Sequence, residues 1–303
     1  MAWGVYKNGN SIVKINLTDG TKIRTTEDDD FDLEFPESID LNIGNRCDGS
    51  CQYCYINATP DGIDADLMNA SFIDTLAPYT ECAINGNSID HPQLVPFLKK
   101  LKAKNVLANI TVNQIHFERK EDIIKDLVEK ELIKGIGISL RKPTPEFISK
   151  VKNYPNAVIH CINGILSADD IEAMRDNDLK ILILGYKNLG RGIDYKNSND
   201  VSLKLKQQYL YDILPTLPNH FKVVSFDNLA LDQLDVKRLL SEEEWNSFYM
   251  GDEGNSSMYV DLVTGKFGIS SLESLSNMWS IMDDIKDMFR VVKEKAKTLS
   301  NIC

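Results

Sequence analysis

Cys47, Cys51 and Cys54 stand in the stretch Arg46-Cys47-Asp48-Gly49-Ser50-Cys51-Gln52-Tyr53-Cys54-Tyr55, a C-x3-C-x2-C array. Three thiolates on one short loop can hold three irons of a cubane [4Fe-4S] cluster and leave the fourth iron without a protein ligand. An iron left open in this way can take a small chelating molecule and react. Two plainer chemistries compete with this one. A structural zinc site wants four tetrahedral ligands, usually from two separated pairs; no second pair exists here, although Cys82 or His91 could complete a set. A ferredoxin-type electron carrier needs a fourth cysteine in a matching pattern, and Cys82, Cys161 and Cys303 lie far apart in sequence. The alternative to an enzyme is therefore a non-catalytic iron-sulfur or zinc-binding protein that uses the loop for structure or regulation.

A reactive loop needs a scaffold, and the sequence around it has a βα rhythm. Strand-like runs occur at Ser38–Ile43, Glu81–Ile84, Val106–Val112, Ile133–Ser139, Ala157–Ile162 and Lys180–Leu184. Helical patterns lie between them: Leu94, Phe97, Leu98 and Leu101 share a face, as do Ile123, Ile124, Leu127 and Val128, and Phe147, Ile148 and Val151 mark a shorter helix. Ser167 and Asp170 have capping-box spacing ahead of Ile171 and Met174. Strands alternating with such helices predict an α/β fold of parallel strands joined by right-handed crossovers. Parallel α/β folds of this kind carry their chemistry where the strands end. That rule selects the cysteine loop after the first strand, Asn85-Gly86-Asn87 after the second, and Asn113-Gln114 after the third. It further selects Ser139 and Arg141, Asn163-Gly164 and Gly185-Tyr186-Lys187 after the last three.

Outside this rhythm, alternation on both sides of Asp19-Gly20 predicts a β-hairpin over residues 11–25. Residues 1–35 are expected as an N-terminal extension, 36–192 as the βα core and 193–303 as a mixed α/β C-terminal extension. In that last part Leu203 to Leu214 reads as helix, Val223–Phe226 as strand, and Met258–Leu262 with Lys266–Ile269 as a hairpin around Thr264-Gly265. Trp279, Met282, Ile285, Met288, Phe289 and Val292 form a helical stripe that reads as core.

With 303 residues, 43% hydrophobic and 26% charged, the chain has the composition of a soluble globular protein. A net charge of -11 argues against a broad footprint on bulk nucleic acid. Its lysine groups, Lys99 to Lys104 and Lys293 to Lys297, read as solvated helix faces, and Glu27-Asp28-Asp29-Asp30 as a solvated connector. The N-terminus lacks the basic start and apolar stretch of a signal peptide, and no run approaches the ~20 apolar residues of a membrane span. A cytoplasmic location is expected, and few, unevenly spaced cysteines suit its reducing conditions.

The C-x3-C-x2-C spacing with Tyr53 just before the last cysteine resembles the signature of the radical S-adenosylmethionine superfamily. The resemblance implies a partial (β/α)6 TIM-like barrel. It implies one [4Fe-4S] cluster on Cys47, Cys51 and Cys54, and S-adenosylmethionine chelating the open iron by its amino and carboxylate groups. One electron, from a donor such as flavodoxin or ferredoxin, would then cleave the sulfonium to a 5'-deoxyadenosyl radical that abstracts hydrogen from a small molecule, nucleotide or peptide. Gly86 and Asn87 occupy the place of a Gly-Gly-Glu-like turn that holds the cofactor's amino group; here Asn85 replaces the first glycine and Asn87 the acid. Ser139 corresponds to a residue near the ribose, Arg141 could pair with the cofactor carboxylate, Asn163 falls where the family contacts the adenine or ribose, and the backbone flanking Tyr53 falls near the adenine. The C-terminal extension is expected to cover the barrel and shape the substrate pocket, without a second cluster, since Cys303 is the only cysteine after Cys161.

Several residues have two readings. One of His160 and Cys161 should face the barrel interior, where Cys161 could donate a hydrogen atom or be a small core residue. His91 and His116 read as loop residues, Gly251-Asp252-Glu253-Gly254 as a surface turn or a source of substrate-facing carboxylates, and Arg191 as a partner for an anionic substrate group. More narrowly, Asp40-Leu41-Asn42-Ile43, His91-Pro92, Thr111-Val112-Asn113-Gln114 and Gly190-Arg191-Gly192 resemble radical S-adenosylmethionine proteins of bacteriophages and their bacterial hosts.

Overall fold

In the computed structural model, which describes residues 2–300, the chain opens with a three-stranded antiparallel sheet. Its strands are β1 (Trp3–Asn8), β2 (Ser11–Asn16) and β3 (Lys22–Thr25). The β2–β3 turn follows its residue types: Asn16 Oδ1 accepts from Thr18 N at 2.9 Å and Asp19 Oδ1 from Thr21 N at 2.9 Å. The expected hairpin is there, with β1 as an added strand. A buried ion pair ties this sheet to the main one, Arg24 Nε donating at 2.9 Å to Oε1 of Glu37, the residue before the first main-sheet strand.

The main sheet begins with β4 (Ser38–Asn42) and β5 (Glu81–Asn85), then α1 (Leu94–Ala103), β6 (Leu107–Asn113), α2 (Gln114–Arg119) and α3 (Glu121–Glu129). It continues through β7 (Gly135–Ser139), α4 (Pro145–Val151), β8 (Ala157–Ile162), α5 (Ala168–Met174) and β9 (Lys180–Leu184). These six strands pair in parallel in chain order, as the βα rhythm predicts and as the partial barrel implied by the resemblance requires. Helix α2 is additional, and Asn113 caps it by accepting from Ile115 N. The Ser167–Asp170 capping box on α5 is formed. On α3 the buried face is narrower than the pattern suggests: Ile124 and Leu127 are buried, while Ile123 and Val128 are each 38% exposed.

The last third adds to the same sheet. Helix α6 (Arg191–Ile213) starts twelve residues before the expected Leu203, with non-helical torsions at Asn199. Next come β10 (Val223–Phe226), parallel to β9, then α7 (Asn228–Gln233) and α8 (Glu242–Phe248). Strand β11 (Ser257–Asp261) returns to pair in parallel with β4, followed by antiparallel β12 (Lys266–Gly268) and β13 (Trp279–Ser280), and α9 (Ile285–Ser300) closes the described chain. The expected stripe splits here: Trp279 lies in β13 and Met282 before the helix, while Ile285, Met288, Phe289 and Val292 are its buried face. Cys303 falls outside the described residues. Among these, no helix is long and apolar enough to cross a membrane.

Alternation along the strands sets the core and the site together, because successive side chains point to opposite faces. Ile39 and Leu41, Cys82 and Ile84, Ile136 and Ile138, Ile159 and Cys161 turn outward into the hydrophobic core. Each such fully buried aliphatic side chain contributes about 1.5–3 kcal/mol. The residues between them, Asp40, Ala83, Gly137, Ser139 and His160, turn inward and line a cavity.

Candidate functional site

Strand β4 delivers the chain into the cysteine loop, and backbone contacts fold that loop on itself. Gly44 bridges to Asp64 and Arg46 to Thr59, Cys47 N donates to Thr59 O at 2.8 Å, and Arg46 Nε reaches Asp64 at 2.7 Å. Each sulfur meets a donor. Gly49 N lies 3.3 Å from Cys47 Sγ, Ala58 N 3.4 Å from Cys54 Sγ, and Cys51 Sγ receives Asn113 Nδ2 at 3.4 Å and an Arg141 guanidinium nitrogen at 3.2 Å. Donors of this kind stabilise thiolates. Burial pushes the Cys47 thiol up, so a metal is what would hold it ionised. All three cysteines are free and half-buried.

The start of α6 clamps the loop from the other side. Gly190 has φ +53°, and a Cβ there would lie 2.5 Å from Tyr55 O, so only glycine fits this close approach. Arg191 N donates to Cys54 O at 3.0 Å, while its guanidinium serves Cys51 O and Ala58 O at 3.0 Å. This corrects the expectation of a substrate-anion partner: Arg191 is spent on carbonyls of the cysteine loop.

The sulfurs do not gather as they would around one ion. Among the described residues, the one trio of Cys, His, Asp or Glu ligand atoms within 4.8 Å is Cys47, Asp48 and His116. Asp48 is already committed, to Arg119 at 2.8 Å and His116 at 2.6 Å, and these partners hold its carboxyl far below the usual carboxylate range. His116 is therefore a buried helix residue of α2 rather than a loop residue. The two conceivable completers of a zinc set are placed elsewhere. Cys82 is buried among core residues, its thiol pushed up to about 12 by burial. His91 Nε2 sits 3.0 Å from Ala65 O and its Nδ1 accepts from Gln93 N.

Cys51, Tyr53 and Cys54 open onto a cavity of ≈ 1090 Å³ that runs down inside the strands to the β2–β3 turn, where Asn156 Nδ2 donates to Thr18 O at 2.9 Å. Ser139 lines this cavity. Arg141 lies beside the cysteines and lines a second cavity of ≈ 420 Å³ with Tyr53, Ile162 and Ile165. Gln114 Oε1 accepts from Arg141 N and Lys142 N at 2.8 and 2.9 Å, which fixes that strand end. Gly86, at φ +89°, would put a Cβ 2.6 Å from Gly44 O, and Asn87 follows with its Oδ1 buried and unpartnered. Asn163 lines neither cavity: its Nδ2 donates to Gln233 at 3.1 Å and its Oδ1 is also buried without a partner. So the structure gathers Cys51, Cys54, Tyr53, Ser139 and Arg141 on the walls of the two cavities, and leaves Cys47, Gly86, Asn87 and Asn163 off them.

Other cavity residues escaped the strand-end rule. Asp40 and His160 lie within strands; of the pair His160 and Cys161, one of which is expected to face inward, it is His160 that does, and only strict alternation from its apolar neighbours could have found Asp40. His160 faces inward over Gly137, where a Cβ would lie 2.3 Å from its ring, and burial lowers its pKa to about 4. Cys161 points away from the main cavity into the core, its thiol pushed up by burial, and meets only the wall of the smaller cavity, which favours the core reading. Glu253 lines the cavity with Lys187 and Asp227, so the 251–254 segment is more than a surface turn.

No protein-family model and no curated protein sequence matches this chain. Solved structures do. Streptococcus suis SuiB bound to S-adenosylmethionine superposes with a TM-score of 0.64 at 12% identity, over 98% of this chain and 89% of that one. SuiB bound to precursor peptide SuiA gives 0.64 at 11% identity, over 95% and 88%. The α/β partial-barrel fold, including its C-terminal extension, is thus shared with SuiB.

Proposed function

We propose that this chain is a radical S-adenosylmethionine enzyme holding one [4Fe-4S] cluster on Cys47, Cys51 and Cys54. The observation that carries the proposal is the placement of three donor-stabilised sulfurs, too spread for one ion, on one loop at a strand end, two of them, Cys51 and Cys54, facing a large cavity. Bound there, the cluster and S-adenosylmethionine supply the electron and the cleavable sulfonium that start hydrogen abstraction. Arg141 and Asn113 stabilise the Cys51 thiolate. The unpartnered Asn87 Oδ1 is a ready acceptor for the cofactor's amino group, and Gly86 keeps the backbone close. Ser139 addresses the ribose, while Tyr53 and the smaller cavity receive the adenine, with Asn163 behind them. Residues 36–192 carry the cofactors and those from 193 onward shape the substrate pocket. The fold shared with SuiB, solved with a peptide, favours a peptide among the small-molecule, nucleotide and peptide candidates. A reducing cytoplasm, bacterial or phage-infected, with flavodoxin or ferredoxin as donor, suits this chemistry.

Anaerobic reconstitution tests the proposal. About four irons per chain, with 5'-deoxyadenosine and methionine released on adding dithionite and S-adenosylmethionine, are expected. About one zinc per chain and no nucleoside would instead support a structural or regulatory metal protein. Cys51→Ala should abolish cleavage with the far-ultraviolet circular dichroism unchanged; continued turnover would overturn the ligand assignment.

A further inference from the structure

Three carboxylates from three separate elements meet inside the main cavity beside one ammonium that touches none of them. Asp40 projects inward from the middle of β4, Asp227 stands between β10 and α7, and Glu253 comes from the segment between α8 and β11. Lys187, just after β9, is spent elsewhere: its Nζ donates to Ser271 Oγ at 2.7 Å and rests 4.2 Å from the Tyr55 ring centroid. The acids differ in what satisfies them. Asp227 Oδ1 accepts from Gly185 N at 2.9 Å and Ala230 N at 2.7 Å, and Ser270 lies beside Glu253 and favours its ionised form. The Asp40 side chain has no hydrogen-bond partner among the described residues and is exposed to the cavity. His160, across the same cavity, also lacks one among them.

Burial raises the proton affinity of all three carboxyls, repulsion from neighbouring acids adds to it for Asp40 and Glu253, and the nearby Lys187 ammonium offsets only part of the rise. A positively charged guest would relieve both costs, whereas an anion would meet three acids and an ammonium already engaged. We propose that this wall is a subsite for a primary ammonium group of the substrate, with Asp40 as its direct partner and Asp227 and Glu253 as the supporting field. The inference rests on the cavity being the substrate pocket of the enzyme proposed above, and it narrows the substrate to amine-bearing molecules, lysine-containing peptides among them.

The test uses the full chain, reconstituted and unreconstituted, with pentane-1,5-diamine as the probe and pentane-1,5-diol and glutarate as controls, each titrated by saturation-transfer NMR. Diamine binding about tenfold tighter than either control is expected, weakened about tenfold in Asp40→Asn and about threefold in Glu253→Gln. Equal binding of diamine and diol, preference for glutarate, or undiminished diamine affinity in folded variants overturns the subsite. Should Asp40→Asn misfold, Glu253→Gln and the wild-type preference decide. Assaying 5'-deoxyadenosine on the reconstituted samples separates the two proposals: diamine binding without nucleoside sinks the enzyme and keeps the subsite, and nucleoside with glutarate preference does the reverse.

Discussion

At the scale of single residues, the cavity wall is tuned by what each side chain is denied. His160 has no hydrogen-bond partner among the described residues and burial lowers its pKa from 6.5 to about 4, so the folded chain holds this imidazole neutral. Between those two pH values the unfolded chain binds the extra proton, so stability falls as pH drops through the window and the contribution is fully present above it. The fall amounts to about 2 kcal/mol at pH 5. His160→Gln should remove most of that acid sensitivity, read as the difference in urea midpoint between pH 7 and pH 5; an unchanged difference would mean the ring is not enclosed as described. Arg141 poses a second test. Its guanidinium lies 3.2 Å from Cys51 Sγ. Arg141→Leu should make a reconstituted cluster harder to reduce by on the order of 50 mV, since a cationic donor to a ligand sulfur favours the reduced state. Redox titration followed by electron paramagnetic resonance reads this, and a shift to higher potential would contradict it.

Elements matter here through their ends. The N-terminus of α6 is pressed against the cysteine loop by Gly190 and Arg191, so Gly190→Ala should lift it away. A destabilisation of roughly 1–3 kcal/mol is expected from the left-handed torsion alone. Because the clash falls on Tyr55 O and Cys54 O, iron retention after gel filtration should drop as well. Ser241→Ala, which opens the capping box at the start of α8, makes the comparison: about 1 kcal/mol of stability lost, iron content unchanged. Equal iron loss in both variants would show that α6 has no special hold on the loop.

For the whole molecule, the question is how three segments of chain become one enclosure. Strand β10 extends the sheet beyond β9 and β11 extends it beyond β4, so residues distant in sequence bring Asp227 and Glu253 to the cavity that Asp40 enters. At the opposite end the β2–β3 turn lines the cavity floor, and its sheet is anchored by Glu37, whose side chain is 1% exposed and paired with Arg24 and Lys22. Arg24→Met leaves that carboxylate enclosed with one cation fewer. A loss of about 3 kcal/mol in global stability is expected, measured by chemical denaturation, and a loss below about 1 kcal/mol would place the pair in the weak surface class.

Much of this architecture is legible in the order of residues, because it rests on local pattern. Six parallel strands follow from short apolar runs between amphipathic helices, and two of them, Ala157–Ile162 and Lys180–Leu184, have the expected bounds. The three cysteines announce themselves by spacing within one loop. Other features stay hidden because nothing local encodes them. Arg191 looks like a free cation until α6 is seen to deliver it to carbonyls more than 130 positions earlier in the chain. Asp40 looks like an interruption in an apolar strand until the sheet curls and gives its inward face a cavity to line. Sequence by itself determined the strands, the helices and the thiolate array, since periodicity and spacing are properties of neighbours along the chain. Which side chains share the cavity was decided by tertiary structure alone, since strand pairing and curvature join β4, β9, β10 and the 251–254 segment across distances that no repeat records.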